Sequence, residues 1–140
     1  MEFKKTLKEK LHEKEEIIFA YLFGSKVTGT SNKLSDVDIA IYLDRHNMPK
    51  SSPYGYKSDL IVEMEEELGE EVDIVILNEA SLFLAYNILK EGQLIMCRSD
   101  EKRTEFHFRV VRDYLDFKPF IQVQNYYLKE RIKKGSIGGS

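Results

Sequence analysis

The chain is poor in the features that would send it outside a cell or into a membrane. It has one cysteine, Cys97, in 140 residues. No internal disulfide can form, and the thiol within an apolar run reads as a small core residue in a reducing compartment. The longest purely apolar stretch, Ile17 to Phe23, has seven residues and is far short of a membrane span. Charged residues stand where a signal peptide would need its apolar segment. A cytoplasmic protein is expected. An excess of basic charge is also missing, since 21 Lys and Arg against 24 Asp and Glu leave a formal net charge of −3. That argues against direct binding to a nucleic-acid backbone. His12, His46 and His107 lack the spacing of metal ligands, and no internal repeat is present.

What is there is a pattern of strands separated by helices. Phe3, Leu7 and Leu11 place one apolar stripe on a charged helix over residues 2–15. Ile17 to Phe23 and Val37 to Tyr42 are rich in β-branched and aromatic residues and read as strands. Residues 44–57 carry Pro49, Pro53 and Gly55 and read as a long loop. Ser58 is the expected cap of a helix through Leu68, with Leu60, Ile61, Met64 and Leu68 inward and Gly69 as the stop. Val72 to Leu77 forms a third strand. Asn78 is expected to cap a further helix ending at Gly92, before a short edge strand from Gln93 to Cys97. Helices follow from about residue 99, with Pro119 starting a new one. One domain over residues 1–134 results, with a flexible tail at 135–140. The order implies an α/β or α+β layer with a helical C-terminal extension.

Two details of that pattern carry chemistry. The first strand ends in Gly24-Ser25, a turn into a short helix whose bare N–H groups suit an anion. The next strand carries Asp36 and Asp38, which share a face because strand side chains alternate, while Val37, Ile39 and Ile41 take the other. Two carboxylates about 5 Å apart repel by roughly 3 kcal/mol at an effective dielectric near 20. A hard divalent cation such as Mg²⁺ relieves that repulsion and keeps both ionised. Asp73 is the one polar residue on its face of the third strand. Should the two strands be neighbours, the three acids converge, a set able to hold two metal ions. Asp73 could then help deprotonate an attacking hydroxyl. Isolated D-x-D patterns are common surface features; the turn before and the strand acid after give this one its weight.

Other residues have plainer readings beside functional ones. Lys26 and Lys33 flank the turn and could steady a triphosphate, though most such lysines are ordinary surface. Ser35 could orient Asp36. The acidic run from Glu63 to Glu71 reads as a solvated helix face. Phe106, Phe108, Tyr114, Phe117, Phe120, Tyr126 and Tyr127 exceed the needs of one helix face, so they divide between core packing and a partner surface. Arg109 and Arg112 fit an interface or a plain helix surface.

The spacing Gly24, Ser25, Asp36, Asp38, followed by Asp73 within Val72-Asp73-Ile74-Val75, resembles the DNA polymerase beta-type nucleotidyltransferase superfamily over about residues 15–120. The small size and helical end are similar to its minimal nucleotidyltransferase branch, as is the run from Arg103 to Pro119. The resemblance implies a mixed, twisted sheet flanked by helices. It also implies transfer of a nucleoside monophosphate from an NTP to a hydroxyl, with release of pyrophosphate. By position, Gly24 and Ser25 would hold the β- and γ-phosphates, Asp36 and Asp38 would ligate two Mg²⁺ ions, and Asp73 would serve the ion nearest the nucleophile. Many members of the branch are antitoxins that adenylylate a tyrosine of a HEPN-domain ribonuclease toxin, with ATP as substrate. Arg103 and His107 are one residue too close for a HEPN signature, so such a toxin would be a separate chain. A non-catalytic antitoxin that acts by binding, and transfer to a small molecule, stand as alternatives. The oligomeric state is left open, a homo-oligomer included.

Overall fold

A computed structural model describes the backbone of residues 2–24 and 37–137, and side chains of residues 3–24 and 37–119. The expected short helix after Gly24 lies outside the described residues, as do Ser25, Lys26, Lys33, Ser35 and Asp36. The elements are α1 (Glu2–His12), β1 (Ile17–Phe23), β2 (Val37–Leu43), α2 (Tyr56–Leu68), β3 (Val72–Ile76), α3 (Leu82–Glu91), β4 (Gln93–Cys97) and α4 (Asp100–Ile137).

The strands form one four-stranded sheet in the order β3-β2-β1-β4. β1 is central and pairs antiparallel with both β2 and β4, whereas β2 and β3 run parallel. Its first six residues are all buried, which a continuous apolar strand covered on both faces requires. On one face Val37, Ile39 and Ile41 of β2 pack with Leu7 and Leu11 of α1 and Leu60 and Met64 of α2. The other face carries Phe19, Tyr21 and Ala40, packed with Ala85 and Ile88 of α3 and Phe106 and Val110 of α4. Phe19 stacks on Tyr42 with ring centroids 4.9 Å apart, and Phe106 closes on both. The helical stripes read from the sequence are the buried ones: Leu7, Leu11, Leu60 and Met64 are at most 2% exposed.

Three boundary expectations are corrected. α2 begins at Tyr56, with Gly55 at the N-cap and no side-chain cap; Ser58 lies inside the first turn. The hydroxyl that holds this corner is Ser52, which donates to Asp59 while the Ser52 N–H donates to the same carboxylate at 2.8 Å. Ser81, not Asn78, caps α3, accepting from the Leu84 N–H at 3.2 Å. Asn78 is occupied elsewhere, accepting from the Leu43 N–H at 2.8 Å and donating to the Leu43 carbonyl at 2.9 Å. Finally, α4 does not restart at Pro119 but runs through it to Ile137, past the expected start of the tail. An interior proline deletes one backbone bond and crowds the preceding turn. Leu115 and Phe117 in the preceding turn are each 55% exposed, so among the described residues no tight packing is there for a kink to disturb.

Candidate active site

Asp38 and Asp73 meet because β2 and β3 are parallel neighbours in one register. Asp38 stands directly opposite Asp73, between the pairs Val37–Val72 and Ile39–Ile74. Partner residues on adjacent strands share a face, and the strands lie about 4.8 Å apart. The two carboxylates therefore stand side by side on the face covered further along by α3 and α4. They sit at the mouth of that face, not under the helices: Asp38 is half-buried and Asp73 exposed, whereas Ala40, two residues further along β2, is fully buried. The Asp73 carboxylate accepts the Ile74 N–H at 3.0 Å.

Gly24 closes the site from the β1 side. The register pairs Phe23 with Asp38, so the residue after it leaves the sheet beside that carboxylate. Its φ is +80°, the left-handed region that glycine enters without steric cost. A Cβ at position 24 would collide with Asp38 Oδ2 and lie 3.3 Å from its Cγ. Glycine is thus required twice over, for the turn and for backbone to lie against an acid. An alternating sequence pattern cannot reveal Phe23 as the apolar flank of Asp38; only the antiparallel register does.

Of the expected site residues, the structure brings together Gly24, Asp38 and Asp73, while Ser25 and Asp36 lie outside the described residues. Among the described residues no group of three or more His, Cys, Asp or Glu side chains could hold a metal ion. The pair itself has the right chemistry for a hard cation, being oxygen-only, anionic and open to solvent. Repulsion across about 5 Å falls to about 1 kcal/mol where solvent screens it fully. This pair can persist without a cation and gain from one.

Other residues singled out in the sequence resolve without chemistry. Lys14 pairs with Glu63 at 2.6 Å and Lys10 with Glu67 at 3.5 Å, so part of the acidic run clips α2 to the end of α1. Glu65 accepts the Val72 N–H at 3.0 Å and holds the start of β3. Cys97 is half-buried on the edge strand, and burial pushes its thiol up. Phe106 is core, Tyr114 stacks on Tyr86 at 3.7 Å, and Phe108 is 66% exposed.

A mixed sheet thus sets a glycine turn against one strand acid, with a second acid in register beside it. The chain belongs to the family of polymerase beta nucleotidyltransferases, whose family model matches residues 5–101. No curated protein matches the sequence. Solved structures share the fold. A chain in the crystal structure of a toxin-antitoxin with AMP-PNP superposes with a TM-score of 0.74 at 20% identity, covering 90% of this chain and 98% of that one. A chain of the toxin-antitoxin MntA-HepT gives 0.68 at 18% identity, over 91% and 97%. One from the tri-AMPylated Shewanella oneidensis HEPN toxin in complex with MNT antitoxin gives 0.67 at 18%, over 90% and 98%. At these identities the likeness establishes the mixed α/β fold. Among the described residues no helix is long and apolar enough to cross a membrane.

Proposed function

We propose that this chain is a magnesium-dependent adenylyltransferase that acts as an antitoxin, moving AMP from ATP to a tyrosine of a separate HEPN-domain toxin in the cytoplasm. The observation that carries the reading is the register pairing of Asp38 with Asp73 beside Gly24, within a chain of the nucleotidyltransferase family. Support for acceptor and partner comes from the neighbours: one holds AMP-PNP, and another is an MNT antitoxin complexed with an AMPylated HEPN toxin.

In the transfer, the tyrosine oxygen forms a bond to the α-phosphorus of ATP and the bond from that phosphorus to the α,β-bridging oxygen breaks. Pyrophosphate leaves with the electron pair. Gly24 and Ser25 supply backbone and hydroxyl groups to the β- and γ-phosphates, a role glycine suits because its bare backbone allows close approach. Asp36, Asp38 and Asp73 would hold the cations, which would neutralise phosphate charge and favour the ionised nucleophile. Asp73, exposed at the mouth, accepts the proton of the incoming hydroxyl. Most of the acceleration comes from positioning and from charges fixed before the reaction.

The test is mass measurement of a purified HEPN toxin encoded beside this chain, after incubation with Mg-ATP and the protein. One or more AMP units on the toxin are expected with the wild type and none with Asp38→Asn, whose fold is checked by circular dichroism. If both proteins protect against the toxin equally and neither leaves AMP on it, inhibition is by binding alone and transfer to this partner is refuted.

A further inference from the structure

A cavity with charged walls lies away from the Asp38–Asp73 pair. A volume of about 450 Å³ opens between the C-terminal end of β2, with the residues just after it, and the first turns of α4. Its floor is Tyr42 and Phe106, with ring centroids 4.9 Å apart, and its walls carry Arg45, His46, Lys102 and Arg109. Tyr42 is four residues from Asp38 on the same face of β2, about 13 Å along the strand. Fully buried Ala40 stands between them, so the two sites are separated by packed core.

We propose that this cavity is a second anion site, built for a phosphate group carried by a small molecule. Lys102, Glu105, Phe106 and Arg109 follow the i, i+3, i+4, i+7 spacing that puts side chains on one helix face, here the face turned to the cavity. Among the described residues neither Lys102 nor Arg109 pairs with a carboxylate. Arg109 instead lies over the Phe106 ring, 5.3 Å from its centroid. That contact holds the guanidinium plane while leaving its N–H fork for an acceptor, the geometry that favours phosphate.

Three acids border the cavity as well, and two of them have partners of their own. Asp44 accepts the His46 N–H at 3.1 Å, and Glu79 pairs with Arg45 at 2.9 Å outside the lining. With Arg45 taken up by Glu79, the lining sets Lys102 and Arg109 against the carboxylates of Asp44 and Glu105, and neither cation is in an ion pair with them. The rim is rigid as well: Asn78 clamps the Leu43 backbone with two hydrogen bonds, fixing where Asp44 to His46 emerge. Two cations outside any ion pair, held over an aromatic floor, suit a phosphomonoester attached to a flat ring, or free phosphate. The assignment rests on nothing in the proposed transfer reaction.

Amide chemical-shift titration of the full chain, without added divalent metal, reads it site by site. Inorganic phosphate and AMP are the two probes. Saturable shifts are expected at Arg45, His46, Lys102 and Arg109, with affinity at least ten-fold weaker in the Lys102→Glu/Arg109→Glu double variant. Lys57→Glu, an exposed charge change on α2, and Asp38→Asn should both leave that affinity unchanged. AMP binding tighter than phosphate identifies a ring-bearing ligand; equal affinity identifies phosphate itself. Shifts confined to the Gly24 and Asp38 end overturn the proposal. So does a loss in Lys57→Glu as large as in the double variant, which would mark diffuse charge attraction. Lys102→Gln with Arg109→Gln repeats the test without charge reversal.

Discussion

Replacing Gly24 by alanine should separate catalysis from stability, because two effects meet at that residue and only one of them concerns the fold. At φ +80° an alanine pays about 1–2 kcal/mol for the left-handed conformation. Its Cβ would also collide with Asp38 Oδ2. Swinging that carboxylate off its rotamer costs roughly another 0.5–1.5 kcal/mol, so the sum reaches about 1.5–3.5 kcal/mol if nothing else moves. Gly69 is the matched control. Its φ is +68° and a Cβ there meets nothing within 4 Å, so Gly69→Ala should lose only the left-handed term of about 1–2 kcal/mol. Urea unfolding of both variants gives the stabilities, and single-turnover AMP transfer gives the chemistry. Displacing a reacting group by about 1 Å costs on the order of 100-fold in rate. Gly24→Ala is therefore expected to lose about two decades of transfer, with Gly69→Ala at the wild-type rate. Equal losses in the two variants, or full transfer by Gly24→Ala, would refute the placement of Asp38 in the site.

Three further outcomes follow from groups away from the acids. The Tyr56 hydroxyl donates to Glu16 Oε2 at 2.6 Å, and burial, then the Glu16 carboxylate, raise the phenol well above its ordinary range. A folded value above the unfolded one means full stabilisation below about pH 10 and progressive loss above it. Tyr56→Phe should flatten that alkaline loss in pH-resolved thermal melts, and cost about 1–3 kcal/mol at neutral pH by leaving the Glu16 carboxylate, 8% exposed, unpaired. Asn78→Ala removes both bonds to Leu43 and should lower urea-measured stability by about 2–3 kcal/mol; a loss under half of that would mean water replaces the amide. Cys97, its thiol raised by burial and then by the Asp100 hydrogen bond, should react with iodoacetamide more slowly at pH 8 than a free thiol. An equal rate would place the sulfur in solvent.

What the sequence revealed of this fold is what periodicity encodes, and what it hid depends on long-range pairing. β1 and β2 could be read because Ile17 to Phe23 and Val37 to Tyr42 are apolar runs between turn residues, and α1 and α2 because Leu7, Leu11, Leu60 and Met64 recur at helical spacing. Asn78 misled because a cap is a local property and its partner is not: the side chain that fits an N-cap found Leu43, 35 residues away, and Ser81 capped α3 instead. Ser58 misled for a related reason, since Asp59 gathers Ser52 from the preceding loop and helix α2 opens earlier. Pro119 reads as a boundary only where neighbours must pack, and the residues from Leu115 to it are exposed.

The site follows the same division. Alternation could single out Asp73 as the lone polar residue on its face of the strand, but no local pattern says which strand stands beside it or in which register. A shift of one residue between β2 and β3 would turn Asp73 toward the α1 and α2 side, among Val37 and Ile39, and leave Asp38 beside an apolar residue. The register is fixed instead by the apolar partners: Val37 opposite Val72 and Ile39 opposite Ile74 are buried in one cluster, and sliding them would expose that face. The core beneath the sheet thus sets the spacing of the acids above it. Enlarging Ile74 should consequently act at the site as well as on stability, through a side chain that touches no ligand.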